Sequence, residues 1–118
     1  MLSDPGNLLF YSSDGNLIKL KLAELRPGME HVTLHVRIIN LEEVREITTS
    51  YGFTHRILDG EIEDETGKME LTVWNEMIEN FNDFKIGDAV TLDNCFITSY
   101  KGVLSVNVGR ESDARIDG

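Results

Sequence analysis

The chain has 118 residues, of which 41% are apolar, and a formal net charge of −10 from 21 acidic and 11 basic residues. This length suits one domain with one core, and the apolar fraction is too high for a disordered chain. No apolar run approaches the roughly 20 residues that span a bilayer, and the first residues lack the features of a signal peptide. We therefore expect a cytoplasmic protein without a membrane segment. The charge argues against a partner held mainly through its phosphates.

Few residues offer the chemistry of an enzyme or a metal centre. Cys95 is the only cysteine, so we interpret it as a small buried apolar residue. His31 and His35 lie roughly 13 Å apart along a strand, too far to share a metal. The acidic residues 63–65 lack the spacing of a cation loop, and no phosphate loop or Ser/His/Asp set is present. We predict no cofactor, no metal and no catalytic activity.

Residues 1–24 have two open interpretations. Leu8–Tyr11 is apolar, Leu17–Leu22 alternates, and the turn-forming residues Ser12–Asn16 lie between them. An Asp-Gly pair between two such runs is typical of a β-hairpin. Leu17–Leu25 also fits helical spacing, so a partly ordered tail that leads into a short helix is an equal alternative.

Alternation of apolar and polar residues predicts the elements after the break at Arg26–Gly28. Val32, Leu34 and Val36 share one face, as in a half-buried strand. In chain order we predict a strand from Val32 that extends as far as Ile47, strands Phe53–Glu63 and Lys68–Trp74, a short helix Asn75–Phe81, and strands Ala89–Thr98 and Val103–Val108.

Five strands with a helix between the third and the fourth are the plan of an OB-fold, a small Greek-key barrel. We predict this all-β fold with one short helix, extended by the N-terminal hairpin if that segment folds. Asn75 is expected to cap the helix and Met77, Ile78 and Phe81 to be its buried stripe. The predicted divisions are an N-terminal extension at 1–24, the OB-fold domain at 25–110 and a fraying C-terminal tail at 111–118.

Trp74 is the first candidate for a functional role. Because Met69, Leu71 and Val73 point to the core, Trp74 points outward by the period of the strand. The alternative is that the strand ends there and the ring folds over an opening of the barrel. Parity alone does not decide between these interpretations.

Phe96 depends on a change of phase in the fourth strand. The apolar alternation that ends at Leu92 resumes out of phase at Cys95. A β-bulge near Asp93–Asn94 reconciles the two halves and turns Phe96 outward, whereas without a bulge Phe96 belongs to the core.

Tyr100 and Lys101 precede Gly102 in a predicted turn. An aromatic ring beside a cation suits a base and its phosphate, although a tyrosine can also cover a barrel edge. Since outward aromatic rings can hold bases by stacking, we expect binding that depends more on stacking than on charge. The basic residues that can face a bound strand are Arg37, Arg45, Arg56, Lys68, Lys101 and Arg110.

Several short segments resemble archaeal single-stranded DNA-binding proteins with one OB-fold, which are related to replication protein A and to eukaryotic SOSS-B proteins. The resemblance covers about Leu25 to Arg110. The matching segments are Leu25–Met29, Val44–Ile47, Asp64–Gly67, Leu71–Trp74 and Ser99–Gly102.

The resemblance implies that Trp74, Phe96 and Tyr100 stack on successive bases and that Arg45 matches a family arginine. The sequence departs from the family at Asn107, where some relatives have an aromatic residue. Residues 1–24 have no counterpart. An extra residue in the second strand leaves the placement of Arg56 open, and no segment matches the long partner-recruiting tail of many members.

We therefore predict sequence-tolerant binding of single-stranded DNA in replication, recombination or repair, by an archaeal, nucleoid-associated monomer or weak dimer. Trp74, Phe96 and Tyr100 would stack on bases, and the phosphate contacts are assigned to Arg45, Arg56, Lys101 and Arg37. The alternatives are an RNA-binding OB domain and a protein-interaction OB domain, whose basic partner would suit the acidic charge. A further alternative, a small metal-dependent enzyme, lacks a ligand set.

Overall fold

The computed structural model describes residues 20–117, so the hairpin predicted within residues 8–22 lies outside the described residues except for its last three. Residues 20–117 form seven strands and two 3₁₀ helices. The strands are β1 (Val32–Leu41), β2 (Arg45–Thr48), β3 (Thr54–Asp64), β4 (Gly67–Trp74), β5 (Ala89–Tyr100), β6 (Val103–Val108) and β7 (Asp113–Ile116), and the 3₁₀ helices span Leu22–Glu24 and Asn75–Phe81.

The predicted OB-fold is confirmed. β1, β3, β4, β6 and β5 pair in that spatial order, and β1 also pairs with β5, so the barrel closes. β4 and β6 are parallel, while the other pairs are antiparallel. β2 adds to β3 and β7 adds to β5 outside the closed barrel. The alternating apolar residues of these strands fill the interior, where each fully buried Leu or Ile stabilises the fold by roughly 1.5–3 kcal/mol.

The extension of the first predicted strand to Ile47 is wrong. β1 ends at Leu41, and the residues up to Ile47 turn back to form β2, which pairs with β3 as a hairpin. The chain bends where the β1–β3 register shifts between Ile38 and Asn40. Gly60 permits this close approach, because a Cβ atom there would lie 2.6 Å from the backbone oxygen of Asn40.

The N-terminal residues 20–25 contribute to the barrel core. Leu20 bridges to β1, and Leu20, Leu22 and Leu25 are all buried. The backbone nitrogen of Leu22 donates to the Asp64 carboxylate at 2.8 Å. Partial burial acts to raise the pKa of Asp64, but hydrogen bonds from Thr66 and from this nitrogen outweigh it and lower the pKa below its ordinary value.

The expectation of a fraying tail after Arg110 is wrong for residues 113–116. Asp113–Ile116 forms β7, whose residues pair antiparallel with Val90–Asp93 of β5. Ala114 is buried in the core, and Arg115 forms ion pairs with Asp93 and Asp113. A short polar segment looks like a tail in sequence, but the exposed edge of β5 supplies its backbone hydrogen-bond partners.

The predicted helix is a 3₁₀ helix, and its predicted buried residues are confirmed: Met77, Ile78 and Phe81 face the core. The predicted cap is wrong, because Trp74 occupies the N-cap position and makes no side-chain cap bond. Asn75 instead adopts φ +50° and accepts a hydrogen bond from the backbone nitrogen of Arg56 at 3.0 Å.

The predicted bulge in β5 is confirmed. Leu34 pairs with Leu92 and Val32 pairs with Cys95, so two residues of β5 lie opposite one residue of β1. Asn94 takes the left-handed conformation that absorbs the extra residue, with φ +56°. The phase change places Cys95 in the core and turns the next side chain outward.

Candidate nucleic-acid interface

Trp74, Phe96 and Tyr100 lie on one outer surface of the barrel, formed by β4, β6 and β5, which we call the aromatic face. In the strand register, Thr72 of β4 pairs with Asn107 of β6, and Asn107 pairs with Phe96 of β5. Side chains two residues apart on a strand share a face, so Trp74 and Tyr100 lie on the same side as this row.

The register also sets the spacing of the three rings. Trp74 and Phe96 are separated by two strand widths and two residues, which corresponds to roughly 12 Å between their backbone positions. Phe96 and Tyr100 are four residues apart on β5, or roughly 14 Å. The rings therefore lie at nearly even intervals along a path that crosses from β4 to β5 and then follows β5.

The three rings differ in exposure. Tyr100 is 75% exposed and Phe96 is 36% exposed, while Trp74 is half-buried. Phe96 lies flush with the barrel because Gly109, without a side chain, allows the ring to approach. A Cβ atom at Gly109 would lie 3.2 Å from the Phe96 ring. All three predicted aromatic residues are thus brought together on one accessible surface.

Asn107 positions Trp74, a role that the sequence analysis missed. The indole nitrogen of Trp74 donates to Asn107 Oδ1 at 2.9 Å, and Asn107 Nδ2 donates to Thr98 Oγ1 at 2.9 Å. Because an indole N–H only donates, the amide oxygen must face Trp74. Asn107 is 3% exposed. The sequence offered one sign of this role: Asn107 is a polar residue whose parity places it on the outward side of β6.

A second group of side chains supports Trp74 from β3. The ring of His55 stands edge-on to the indole, with 5.8 Å between centroids. Asn75 Nδ2 lies 3.1 Å from His55 Nδ1. Since Asn75 Oδ1 accepts from the backbone of Arg56, its amide nitrogen faces the imidazole, and His55 Nδ1 accepts. The side-chain amide of Asn75 therefore orients His55 against the indole.

The polar side chains between the rings bond to one another. Thr72 and Ser105 share a hydrogen bond of 2.7 Å across β4 and β6. The Asn107 side chain bonds to Trp74, to Thr98 and to the backbone oxygens of Phe96 and Ser105. These groups have little spare capacity to bond base edges, so the face offers flat rings more than a pattern of donors and acceptors.

Lys101 lies at the Tyr100 end of the face. Lys101 and Gly102, with φ of +52° and +83°, form a two-residue turn between β5 and β6. Lys101 Nζ is 5.4 Å from the centroid of the Tyr100 ring. The predicted pairing of a ring and a cation is present. Lys68 is exposed on the outward side of β4, at the rung of Val103, the cross-strand partner of Tyr100.

The three arginines that were assigned phosphate contacts have different surroundings. Arg45 lies on the rung of Ile57 and Trp74 and forms an ion pair with Asp59 that raises the pKa of Arg45. Arg56 has the opposite parity on β3 and forms an ion pair with Glu79 of the 3₁₀ helix at 3.2 Å.

Arg37 lies apart from the aromatic face. It is on β1, and its guanidinium donates to the backbone oxygen of Gly87 at 2.6 Å. It lines an open cleft with the acidic residues Glu63–Glu65. Of the predicted cations, Arg45, Lys68 and Lys101 share the outer side with the rings.

Metal-binding clusters and reactive thiols are features that would indicate catalysis, and the described part of the chain contains one buried thiol. In residues 20–117, His, Cys, Asp and Glu form no group of three that could hold a metal ion. Burial raises the pKa of the Cys95 thiol to about 12, so this group is not a nucleophile at neutral pH. Neither 3₁₀ helix of this region has the length and apolar character to cross a membrane.

A family model described as single-stranded DNA binding protein Ssb-like, OB fold, matches residues 25–114. The single-stranded DNA binding protein Ssb of Saccharolobus solfataricus is 33% identical over 92 residues, which cover 78% of this chain and 60% of that protein. Replication factor A of Methanothermobacter thermautotrophicus is 30% identical over 118 residues, covering 88% of this chain and 14% of that protein. The chain thus spans less than two thirds of either relative.

A solved structure gives the same result for the fold. The solution structure of the replication factor A related protein from Methanobacterium thermoautotrophicum superposes with a TM-score of 0.72 at 21% identity. The match covers 84% of this chain and 90% of that one.

Proposed function

The chain belongs to the Ssb-like family of single-stranded DNA-binding proteins with an OB fold, and on this premise we propose that it binds single-stranded DNA by stacking bases on the aromatic face. The observation that supports this most directly is the placement of Trp74, Phe96 and Tyr100 on one accessible surface. A surface of this kind needs no large positive charge to bind, which reconciles the proposal with a net charge of −10.

Stacking provides most of the affinity in this proposal. Each base that stacks on an aromatic side chain contributes roughly 1–3 kcal/mol. Trp74 is held by Asn107 and His55 before any strand binds, so little side-chain freedom is lost on binding. Duplex DNA binds less well, because a paired and stacked base does not expose its flat face.

Phosphate contacts come from Lys101 and Arg45 in this arrangement. Lys101 is exposed, and Arg45 can exchange its partner Asp59 for a phosphate because its side chain is 54% exposed. Arg56 and Arg37 remain proposed contacts, but their bonds to Glu79 and Gly87 point them away from the rings. Two or three contacts predict a slope of log affinity against log salt of about −1.4 to −2.

Sequence tolerance follows from the hydrogen bonds within the face. Specific readout needs free donors and acceptors aimed at base edges. Thr72, Ser105 and Asn107 bond to one another or to neighbouring side chains. Every base has a flat face, so stacking discriminates little among them.

The cellular role proposed on this basis is protection or handling of single strands in replication, recombination or repair. Partners would be single-stranded DNA and proteins of those processes, and the domain would act in the cytoplasm as a monomer or weak dimer. RNA is the closest competing ligand, because stacking does not distinguish the two sugars without a contact to the 2′-hydroxyl.

The test is a titration of oligo-dT into the protein, followed by the fluorescence of Trp74, the only tryptophan. We expect saturable quenching that weakens only modestly as salt rises. With labelled oligo-dT and anisotropy, the Trp74→Ala protein should bind roughly tenfold or more weakly. Lys101→Ala should reduce the salt slope by about 0.7, whereas Lys85→Ala, an exposed lysine in the loop before β5, should not.

Two results would refute the proposal. One is full affinity of the Trp74→Ala protein, which would remove stacking from the mechanism. The other is a folded protein that binds neither oligo-dT nor oligo-U, which would favour a protein partner. Tighter binding of oligo-U than of oligo-dT would reassign the ligand to RNA.

A further inference from the structure

We propose that a pocket beside Phe96 takes a single guanine base of the bound strand, which gives an otherwise tolerant surface one position of base preference. The pocket lies between Phe96, residues 109–112 after β6, and the pair His31 and Asn94, and we call it the rim pocket. This inference rests on the proposed function, since the base belongs to the strand that stacks on the aromatic face. Of the three rings of that face, Phe96 alone lines the pocket.

The rim pocket has the size of one base. Its volume is about 270 Å³, slightly below the roughly 300–1,000 Å³ of pockets that enclose drug-sized ligands. Gly109 lies against the Phe96 ring, at a point where a Cβ atom would be 3.2 Å away. β6 ends one residue before Gly109, at the rung of Val73, so the pocket opens at the same end of the face as Trp74. A base next to the one that stacks on Phe96 can therefore turn into it.

Hydrogen bonds fix the polar wall of the pocket. Asn94 Nδ2 donates to the backbone oxygen of Glu111 at 2.9 Å, so Asn94 Oδ1 accepts from His31 Nδ1 at 2.6 Å. Ser112 Oγ donates to the backbone oxygen of Asn94 at 2.8 Å and accepts from the Gly109 nitrogen at 3.0 Å. His31 and Asn94 both have positive φ, +59° and +56°, which costs energy in residues other than glycine. Such strain clusters at ligand sites, and a wall held this way loses little freedom on binding.

Most polar groups of the pocket accept hydrogen bonds. Because Nδ1 of His31 donates to Asn94, a neutral His31 ring has Nε2 as an acceptor. Glu30 Oε1 lies 3.9 Å from that nitrogen, so two acceptors lie close together. Glu111 adds a second carboxylate to the lining. This excess of acceptors and of negative charge disfavours a phosphate and favours a group that presents N–H donors.

Arg110 supplies the complementary donor. It is exposed and lines the pocket, where its charge offsets only one of the two carboxylates. Among the arginines of residues 20–117, Arg110 is the one whose guanidinium makes no hydrogen bond or ion pair, while each of the others has a partner. A guanidinium can donate to O6 and N7 of guanine at once, the commonest specific contact to a base. Arg110 gives up no ion pair to make it.

Guanine is the base that meets both requirements. Its imino and amino groups lie side by side on one edge, and its O6 and N7 accept on the adjoining edge. Adenine and cytosine have an amino group without an imino proton beside it, and thymine has an imino proton without an amino group. Carboxylate and imidazole acceptors together with a guanidinium donor therefore favour guanine over the other three bases.

The experiment places one dG at each position of an oligo-dT strand in turn. These strands would be titrated by anisotropy beside the all-dT strand and beside strands with dA, dC or deoxyinosine at the same position. We expect one position at which dG raises affinity roughly fivefold or more over dT. Deoxyinosine, which lacks the amino group, should lose most of this gain. Arg110→Ala and Glu111→Gln should each abolish the preference, whereas Lys85→Ala, in the loop before β5, should keep it.

The outcomes separate the rim pocket from the proposed function. If every single-dG strand binds like the all-dT strand, the rim pocket is refuted and the aromatic face stands. A dG preference that survives Arg110→Ala, or an equal preference for dA or dC, would also refute it. If none of the strands binds, the proposed function itself fails. Shifts of the Asn94 side-chain amide signals that appear with the dG strand and not with all-dT would support the pocket directly.

Discussion

Replacement of Asn107 by alanine tests whether the position of the Trp74 ring matters for binding. The variant keeps Trp74 and removes only the side chain that holds its indole. The substitution removes longer contacts of Asn107 Nδ2 with the backbone oxygens of Phe96 and Ser105, at 3.3 and 3.2 Å. It also removes the two short hydrogen bonds to other side chains, one from the Trp74 indole and one to Thr98, both of 2.9 Å. Each contributes about 1 kcal/mol net, and Thr98 can bond to water because it is exposed. The variant should therefore lose about 2 kcal/mol of the free energy of unfolding, which corresponds to a decrease in Tm of roughly 10 °C.

The same change should weaken binding. Once its indole nitrogen has no anchor, Trp74 must lose side-chain freedom when a base stacks on it, at a cost of about 0.5–1.5 kcal/mol. Affinity for oligo-dT should fall by about 2- to 12-fold. Urea unfolding followed by Trp74 emission gives the stability, and anisotropy with labelled oligo-dT gives the affinity.

Thr91→Val is the matched control for Asn107→Ala. Thr91 is also buried and hydrogen-bonded, but its partners are His35 and Asp117, on β1 and just after β7. It should lower stability and leave affinity unchanged. An Asn107→Ala protein that keeps wild-type affinity and an unshifted Trp74 emission spectrum would show that Asn107 does not position the ring.

Two further predictions concern the folded state. Because hydrogen bonds lower the pKa of Asp64 below its ordinary value of 3.8, its stabilising effect is complete above that pH and is lost as pH falls through the lower folded-state pKa. The loss of stability as pH falls below 3.8 should therefore be steeper in wild type than in Asp64→Asn, each protein being unfolded with urea at several pH values and followed by circular dichroism. Equal losses in the two proteins would contradict this. Cys95, whose pKa is raised to about 12 by burial, should react with a disulfide reagent at pH 8 only as fast as the protein unfolds, and rapid labelling of the native protein would contradict this.

Much of the aromatic face could be predicted from the sequence because parity is a local property of a strand. The period of two favoured an outward Trp74, and the phase change before Cys95 indicated the bulge that exposes Phe96, although the pattern alone left both alternatives open. The Tyr100 turn was predicted from Lys101 and Gly102, whose positive φ angles suit a two-residue hairpin.

The partners of the cations and the strand after Arg110 could not be predicted from local patterns. Arg45 and Arg56 look alike in sequence, yet their partners Asp59 and Glu79 lie 14 and 23 residues away. Whether a cation is free to meet a phosphate depends on such distant neighbours. The segment after Arg110 has too few apolar residues to predict a strand, and it pairs because β5 exposes an edge there.

The sequence by itself determined the alternation within most strands and the tight turns at Asp64–Gly67 and Tyr100–Gly102, since both follow from backbone geometry over a few residues. Only the tertiary structure decided which strands are neighbours. Closure of the barrel places β6 between β4 and β5, parallel to β4, and so brings Asn107 to Trp74 across 33 residues of chain. Contacts at that separation depend on the packing of the whole core, which no local pattern encodes.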